Sequence, residues 1–389
     1  MNYSLASRIQ SIEFPPIAEA MSWVKKEQGN RALLNMCQAV PSYPPAPALQ
    51  DEIARLAHEP GTGGYTDIFG IMPLREAFAG HMSAAYGAAI GAPHVAITTG
   101  CNQAFAATIM AIAAAGENVV MPTPFYFNHQ MWLSMLGIGI NPIPAFSAGA
   151  NYPDVAAARA AIDAKTRAIV LCTPNNPSGA IYPAEVIGAF FDLAAEKGLA
   201  LILDETYRDF RPSPEPPHDL FTRNAWQKTL VQLYSFSKIY ALAGYRLGAM
   251  IASRELLHEV AKILDCMTIC PPQITQRAVL FGLDALEPWK NEKKSLMAGR
   301  LVAMREAFKT PGLNFQLVSS GAYFAYVRHP FAGESSKSVA QRLAKENDLL
   351  CLPGSMFGPD QENYLRLAFA NVDAGLMPEL ATRLIESQK

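Results

Sequence analysis

The chain predicts an α/β fold: a mainly parallel sheet covered by helices on both faces, with a second, smaller α+β layer beside it. Three observations carry this expectation. Between residues 94 and 252, apolar runs of strand length alternate with longer helical patterns, as in consecutive strand–helix–strand units. Runs such as RAIVLCT are apolar throughout, which suits strands buried on both faces. After about residue 285 the texture changes to a long charged helical stretch followed by short strand-like segments.

In chain order, HVAITT (94–99) reads as a strand leading to an Ala-rich helix near 102–115, and NVVMP (118–122) as a strand followed by a helix near 127–136. RAIVLCT (167–173) is a buried strand, and EVIGAFFDLAAEKG (185–198) an amphipathic helix stopped by Gly198. LALILDE (199–205), LVQLYS (230–235) and GAMIAS (248–253) complete the strands of the large unit. Beyond it, WKNEKKSLMAGRLVAMREAF is helical, GAYFAYV and YLRLAFA are strand-like, and SVAQRLAKEN is a helix between them. The first 45 or so residues, with the Pro-rich VPSYPPAP, are expected to join this smaller layer. The expected division is therefore a large domain over 46–285 and a discontinuous small domain over 1–45 and 286–389, with an N-terminal arm.

Composition narrows the function classes. Half of the 389 residues are hydrophobic and 17% are charged, so a large core can form, and a net charge of −2 without charge blocks argues against nucleic-acid or membrane surfaces. The N-terminus lacks the basic start and apolar run of a secretory signal, and nowhere do about 18 apolar residues run together. A cytoplasmic protein that handles small molecules is expected. Cys37, Cys101, Cys172, Cys266, Cys270 and Cys351 are scattered as reduced thiols; only Cys266 and Cys270 are close, and without a nearby His they make a poor metal site.

In open α/β sheets ligands collect where strands end at their carboxyl edge. Four such loops carry chemistry here: Gly100 to Asn102, Asn175 to Gly179, Asp204 to Tyr207, and Lys238 in SFSKIYALAGYRLG. A lysine between Ser235 and Ser237, with Arg246 eight positions on, suits an amine that forms a Schiff base beside a phosphate. Gly100, Cys101 and Asn102 lie where a strand turns into a helix, whose free N–H groups attract a phosphate, while Ser235, Ser237 and Arg246 would add hydroxyl and cationic contacts. Asp204 could pair with a protonated pyridine nitrogen, or simply cap a strand end; the Tyr207 hydroxyl and Asn176 could hold a phenolate, although Asn-Pro-Ser-Gly is also good turn chemistry. Tyr126 could stack on the ring and His129 reach the far oxygen of Asp204, or both could be core residues. Arg366 in YLRLAFA wants an anion, either a substrate carboxylate or one of the protein's own acids. No GxGxxG or GxxxxGKS element stands in the right context.

These pieces resemble the fold-type I, class I/II aminotransferases that use pyridoxal 5'-phosphate (PLP), the aspartate aminotransferase superfamily. The resemblance runs from VPSYPPAP through GGYTDIFG, TTGCNQAF, PTPFYFNH, TPNNPSG, DETYRDF and SFSKIYALAGYRLG to LPGSMFG and YLRLAFA, in the family order. It implies a three-layer PLP-transferase fold, with Lys238 as the internal-aldimine lysine and Asp204 as the partner of the pyridine nitrogen. It further implies Tyr207 and Asn176 at the phenolate, Tyr126 over the ring and His129 behind Asp204. Gly100, Cys101, Asn102, Ser235, Ser237 and Arg246 would form the phosphate cup, Tyr65 would reach the phosphate of the neighbouring subunit in a homodimer, and Arg366 would clamp the substrate α-carboxylate. Two departures stand out. Ala39 replaces a frequent Gly near the α-carboxylate, where its N–H is still expected to serve. Counting back from the CPP at 270–272 puts Asp265 where dicarboxylate-specific relatives carry a second arginine, which favours an aromatic, sulfur-containing or aliphatic substrate.

The implied activity moves an amino group from an L-amino acid to a 2-oxo acid, with Lys238 shuttling the proton. A carbon–sulfur β-lyase built on the same residues is the alternative within this chemistry. A non-catalytic PLP-binding regulatory domain is a remoter one, for which the expected winged-helix segment finds no room in this sequence.

Overall fold

A computed structural model of the protein describes residues 3–24, 31–146 and 149–389. The remaining residues of the expected N-terminal part, 1–2 and 25–30, lie outside the described set. The strands in chain order are β1 (Leu34–Asn35), β2 (Val95–Thr98), β3 (Asn118–Thr123), β4 (Gly139–Pro144), β5 (Thr166–Cys172), β6 (Ala200–Asp204) and β7 (Leu230–Ser235). They continue with β8 (Gly248–Ile251), β9 (Gln316–Gly321), β10 (Phe324–Arg328), β11 (Leu349–Leu350), β12 (Leu352–Pro353) and β13 (Tyr364–Ala368).

Seven strands form the main sheet in the order β2-β8-β7-β6-β5-β3-β4. All neighbours run parallel except β8, which is antiparallel to both β2 and β7. The apolar runs of β5 and β6 occupy the centre because they can be covered on both sides. Along β6, Leu201 and Leu203 pack into one core layer and Ile202 into the other, so the sheet separates two helical layers. Strand β4, whose GINPIP pattern the sequence reading passed over, lies at the edge, where Pro142 and Pro144 deprive no further ladder of a donor.

A second, four-stranded antiparallel sheet has the order β12-β13-β10-β9. Its core is shared with the N-terminal segment: Leu34, Met36 and Cys37 are buried with Phe324, Leu365 and Leu367. Strand β1 pairs in parallel with β11, which ties the two ends of the chain together.

Two boundaries differ from the sequence expectation. The Ala-rich helix spans Cys101–Ile112 and stops before Ala114 and Ala115, because the chain must reverse at Gly116 (φ 88°) to enter β3. Helix propensity yields there to the turn. The run GAYFAYV is not one strand: Gly321 ends β9 and Phe324 opens β10, with Ala322 at φ 45° in the hairpin turn. By contrast, the helix Ala184–Lys197 ends as read, with Gly198 at φ 66°.

Candidate active site

At the carboxyl edge of the main sheet, β5, β6 and β7 end on one cavity of about 180 Å³. Cys101, Asn102, Tyr126, Asn176, Asp204, Tyr207, Ser235, Ser237, Lys238 and Arg246 line it together. Of the remaining expected residues, Gly100 lies against Arg246, His129 contacts Asp204, Arg366 reaches Asn176, and Ala39 contacts Lys238. Tyr65 stands apart from this cavity and is 79% exposed. Cys172, Thr206 and Ala243 also line the cavity and were not expected. Thr206 could have been found, since an N–H two residues after an Asp at a strand end is good Asx-turn chemistry. Cys172 shares the face of Asp204, its partner on the neighbouring strand, a relation that only the strand order supplies.

Lys238 sits in a one-turn helix, Phe236–Ile239, whose N-cap is Ser235; the Ser235 hydroxyl accepts a hydrogen bond from Ser237 N at 3.3 Å. Burial, reinforced by the nearby Arg366 and Arg246 cations, lowers the Lys238 amine from its usual value to about 8. Its Nζ donates to the Ala39 carbonyl at 2.8 Å. The Ala39 carbonyl thus faces the amine, because a poorly solvated ammonium needs an acceptor close by.

Asp204 ends β6 and is 4% exposed. Burial by itself would raise its pKa, but His129 and Thr206 hold the carboxyl below its usual value and keep it ionised. His129 Nε2 lies 3.2 Å from Oδ2, and Thr206 N donates to Oδ1 at 2.9 Å. Phe105, on the helix Cys101–Ile112, stacks on the imidazole with centroids 4.0 Å apart and fixes the ring plane. Tyr126 meets the same ring edge-on.

The anion end is built from backbone. Gly100 (φ 89°) is the N-cap of the helix Cys101–Ile112, leaving first-turn N–H groups directed at the strand ends. A Cβ on Gly100 would come within 2.5 Å of Arg246 Nη2, and one on Gly248 within 2.6 Å of Cys101 N. Glycine at both positions keeps this cradle open beside the guanidinium. The thiol of Cys101 turns away from the cradle to Asp204 Oδ1, 3.7 Å away, so this residue can offer only its main chain to an anion.

Arg366, on β13, is 1% exposed and among the described residues forms no ion pair. It donates to Asn176 Oδ1 at 3.1 Å and to the Cys37 carbonyl, between the rings of Phe324 and Phe357. The alternative of an internal salt bridge is therefore not what the structure contains. Burial lowers the guanidinium to about 10, which leaves it charged at neutral pH with its Nε unpartnered, a cation prepared for an anion. Burial pushes Tyr207 well above its usual value, so its phenol remains a donor. Tyr323, on the β9–β10 turn, packs edge-on to Tyr207 and donates to the Lys238 carbonyl at 3.3 Å.

These residues fit PLP: an amine with a lowered pKa, an ionised carboxylate, phenol and amide donors, and a cradle that a Cβ would fill. The family model described as aminotransferase class I and II matches residues 31–384. An aspartate aminotransferase of Sulfolobus acidocaldarius is 26% identical over 378 residues, 93% of this chain and 91% of the relative. An aromatic aminotransferase of Arabidopsis thaliana is 27% identical over 359 residues, covering 90% and 88%. Among solved structures, a single mutant of Thermus thermophilus aspartate aminotransferase superposes with a TM-score of 0.89 at 24% identity, covering 99% of this chain and 100% of the other.

Proposed function

The chain belongs to the class I and II aminotransferases, and from that premise we propose that it transaminates an L-amino acid with an uncharged side chain through Lys238 in a PLP-containing homodimer. When bound, PLP supplies an aldehyde for the substrate amine and a ring that delocalises the electron pair left at the α-carbon. Asp204, held ionised by His129 and Thr206, keeps a proton on the pyridine nitrogen. The Tyr207 hydroxyl and the Asn176 amide orient the phenolate oxygen. The Gly100–Asn102 turn, with Ser235, Ser237 and Arg246, holds the phosphate. Arg366 would bind the α-carboxylate, and the Lys238 Nζ, basic near neutral pH, would move the proton at the α-carbon.

The side-chain preference rests on cations. Among the described residues lining or touching the cavity, Lys238, Arg246 and Arg366 each have one of these duties, and Asn102 is neutral. Asp265 is exposed on the helix Arg254–Thr268 and lines no part of the cavity. Within one subunit, a substrate side-chain carboxylate would meet no spare cation there.

The homodimer is supported by Tyr65, whose loop is pinned by Thr66 N to Cys270 Sγ at 3.3 Å and by Gln276 Nε2 to Thr66 Oγ1 at 3.1 Å. Tyr65, Tyr245, Met267 and Ile269 present exposed apolar surface on or next to these segments. A large unit over 46–285 and a small one over 1–45 and 286–389 fit the separate sheets. A cytoplasmic location is inferred from six free thiols. No helix among the described residues is long and apolar enough to cross a membrane.

The observation that carries the reading is Lys238, its amine poised at about 8 within the cavity that Asp204 lines. Single-turnover loss of the visible cofactor band is the test. Wild-type holoenzyme should respond to aromatic, sulfur-containing or aliphatic amino acids far more than to aspartate. Lys238→Ala should lose the lysine-linked band and at least ~10³-fold in turnover. Wild-type turnover by Lys238→Ala would sink the assignment.

A further inference from the structure

Two thiols flank Asp204, and they point differently. Cys172, beside Asp204 across the β5–β6 pair, donates to the Pro174 carbonyl at 3.7 Å. Cys101, the first residue of its helix, directs Sγ at Asp204 Oδ1 at 3.7 Å. Oδ2 of the same carboxylate is occupied by His129, and Oδ1 also accepts from Thr206 N. The oxygen that Cys101 touches is therefore already shared, and a ring nitrogen reaching Asp204 must compete with the donors present.

We propose that Cys101 is a positioning residue that donates its S–H to Asp204 Oδ1 and so weakens the hold of this carboxylate on the proton of the cofactor ring nitrogen. A helix N-terminus usually favours a thiolate. Here burial first, and then the negative charge of Asp204, push the Cys101 thiol well above its usual value, so it remains a donor. Each donor to a carboxylate stabilises its charge and lowers its basicity. Thiol donors are weak, so the effect is a trim rather than a switch, on the order of threefold in proton affinity. The proposal rests on the reading of Asp204 as the partner of the ring nitrogen.

The experiment uses holoenzyme carrying PLP labelled with nitrogen-15 in the ring, whose chemical shift reports protonation directly. Cys101→Ala should move the resonance towards the protonated position and raise its titration midpoint, by roughly threefold in proton affinity. Cys101→Ser, which restores a donor, should return it towards wild type, and Cys172→Ala should leave it in place. In wild-type holoenzyme compared with Asp204→Asn, a thiol S–H stretch should move to higher frequency, a readout that needs no substitution at 101. An unmoved resonance in Cys101→Ala, an equal shift in Cys172→Ala, or an unchanged S–H region overturns the proposal. If Asp204→Asn also leaves the ring resonance unmoved, the Asp204 assignment falls first. If Asp204→Asn moves it and Cys101→Ala does not, only the role of Cys101 falls.

Discussion

Asp204 and Glu205 are consecutive, both buried, and each lies against a histidine, yet they belong to different regions of the molecule. Asp204 Oδ2 is 3.2 Å from His129 Nε2, and Glu205 Oε2 is 3.5 Å from His218 Nε2. Burial opposes ionisation of both, and in both the neighbouring histidine helps bring the pKa below its usual value. The pleat of the strand separates them. Asp204 follows Ile202 to the face of the helix Cys101–Ile112, while Glu205 follows Leu203 to the face of the helix Met72–Tyr86. There Glu205 is enclosed: Tyr86 donates to Oε2, Gln232 Nε2 does so at 3.0 Å, and the cavity at the strand ends does not reach it. A buried acid–histidine pair is thus no catalytic signature in itself. What distinguishes Asp204 is an opening shared with Lys238.

The comparison can be broken by matched substitutions. Asp204→Asn should lower kcat roughly 10³-fold with little change in folding stability, measured by steady-state kinetics beside denaturant unfolding. Glu205→Gln should do the reverse, costing about 2 kcal/mol of stability through poorer hydrogen bonds to Tyr86 and Gln232, with kcat within a few-fold of wild type. A stable Glu205→Gln that loses turnover would place the second carboxylate in the reaction and end the contrast. The smallest effect sharpens the cavity side. Capture of PLP by apoenzyme requires the neutral amine, so its rate should rise with pH through about 8, the Lys238 value. Arg366→Gln removes a cation that disfavours the ammonium, so the midpoint should move up, by less than about one unit. A downward shift would show that Arg366 does not act on Lys238.

Much of the site was legible because its residues stand at fixed offsets from strand ends. Lys238, Asp204, Tyr207 and Asn176 were found from apolar runs that stop at polar residues, and the structure gathers all four around one cavity. His129 was foreseen behind Asp204, but Phe105, which holds its ring, reads in sequence as one more apolar residue of an Ala-rich helix. That the Ala39 carbonyl faces Lys238 and the Cys101 thiol faces Asp204 was not foreseen, because residue type does not say which atom of a residue turns inward. The hairpin inside GAYFAYV was hidden for a related reason: Ala322 adopts a positive φ without a glycine to announce it.

By itself the sequence determined the alternation of strands and helices, the buried central strands and the residue types at the strand ends, since periodicity and burial are local properties of the chain. Only the tertiary structure decided that Glu205 is enclosed by Tyr86, Gln232 and His218, that among the described residues no acid pairs with Arg366, and which thiol touches Asp204. Those outcomes depend on strand order and on contacts between residues as far apart in sequence as Lys238 and Ala39, which no local pattern encodes.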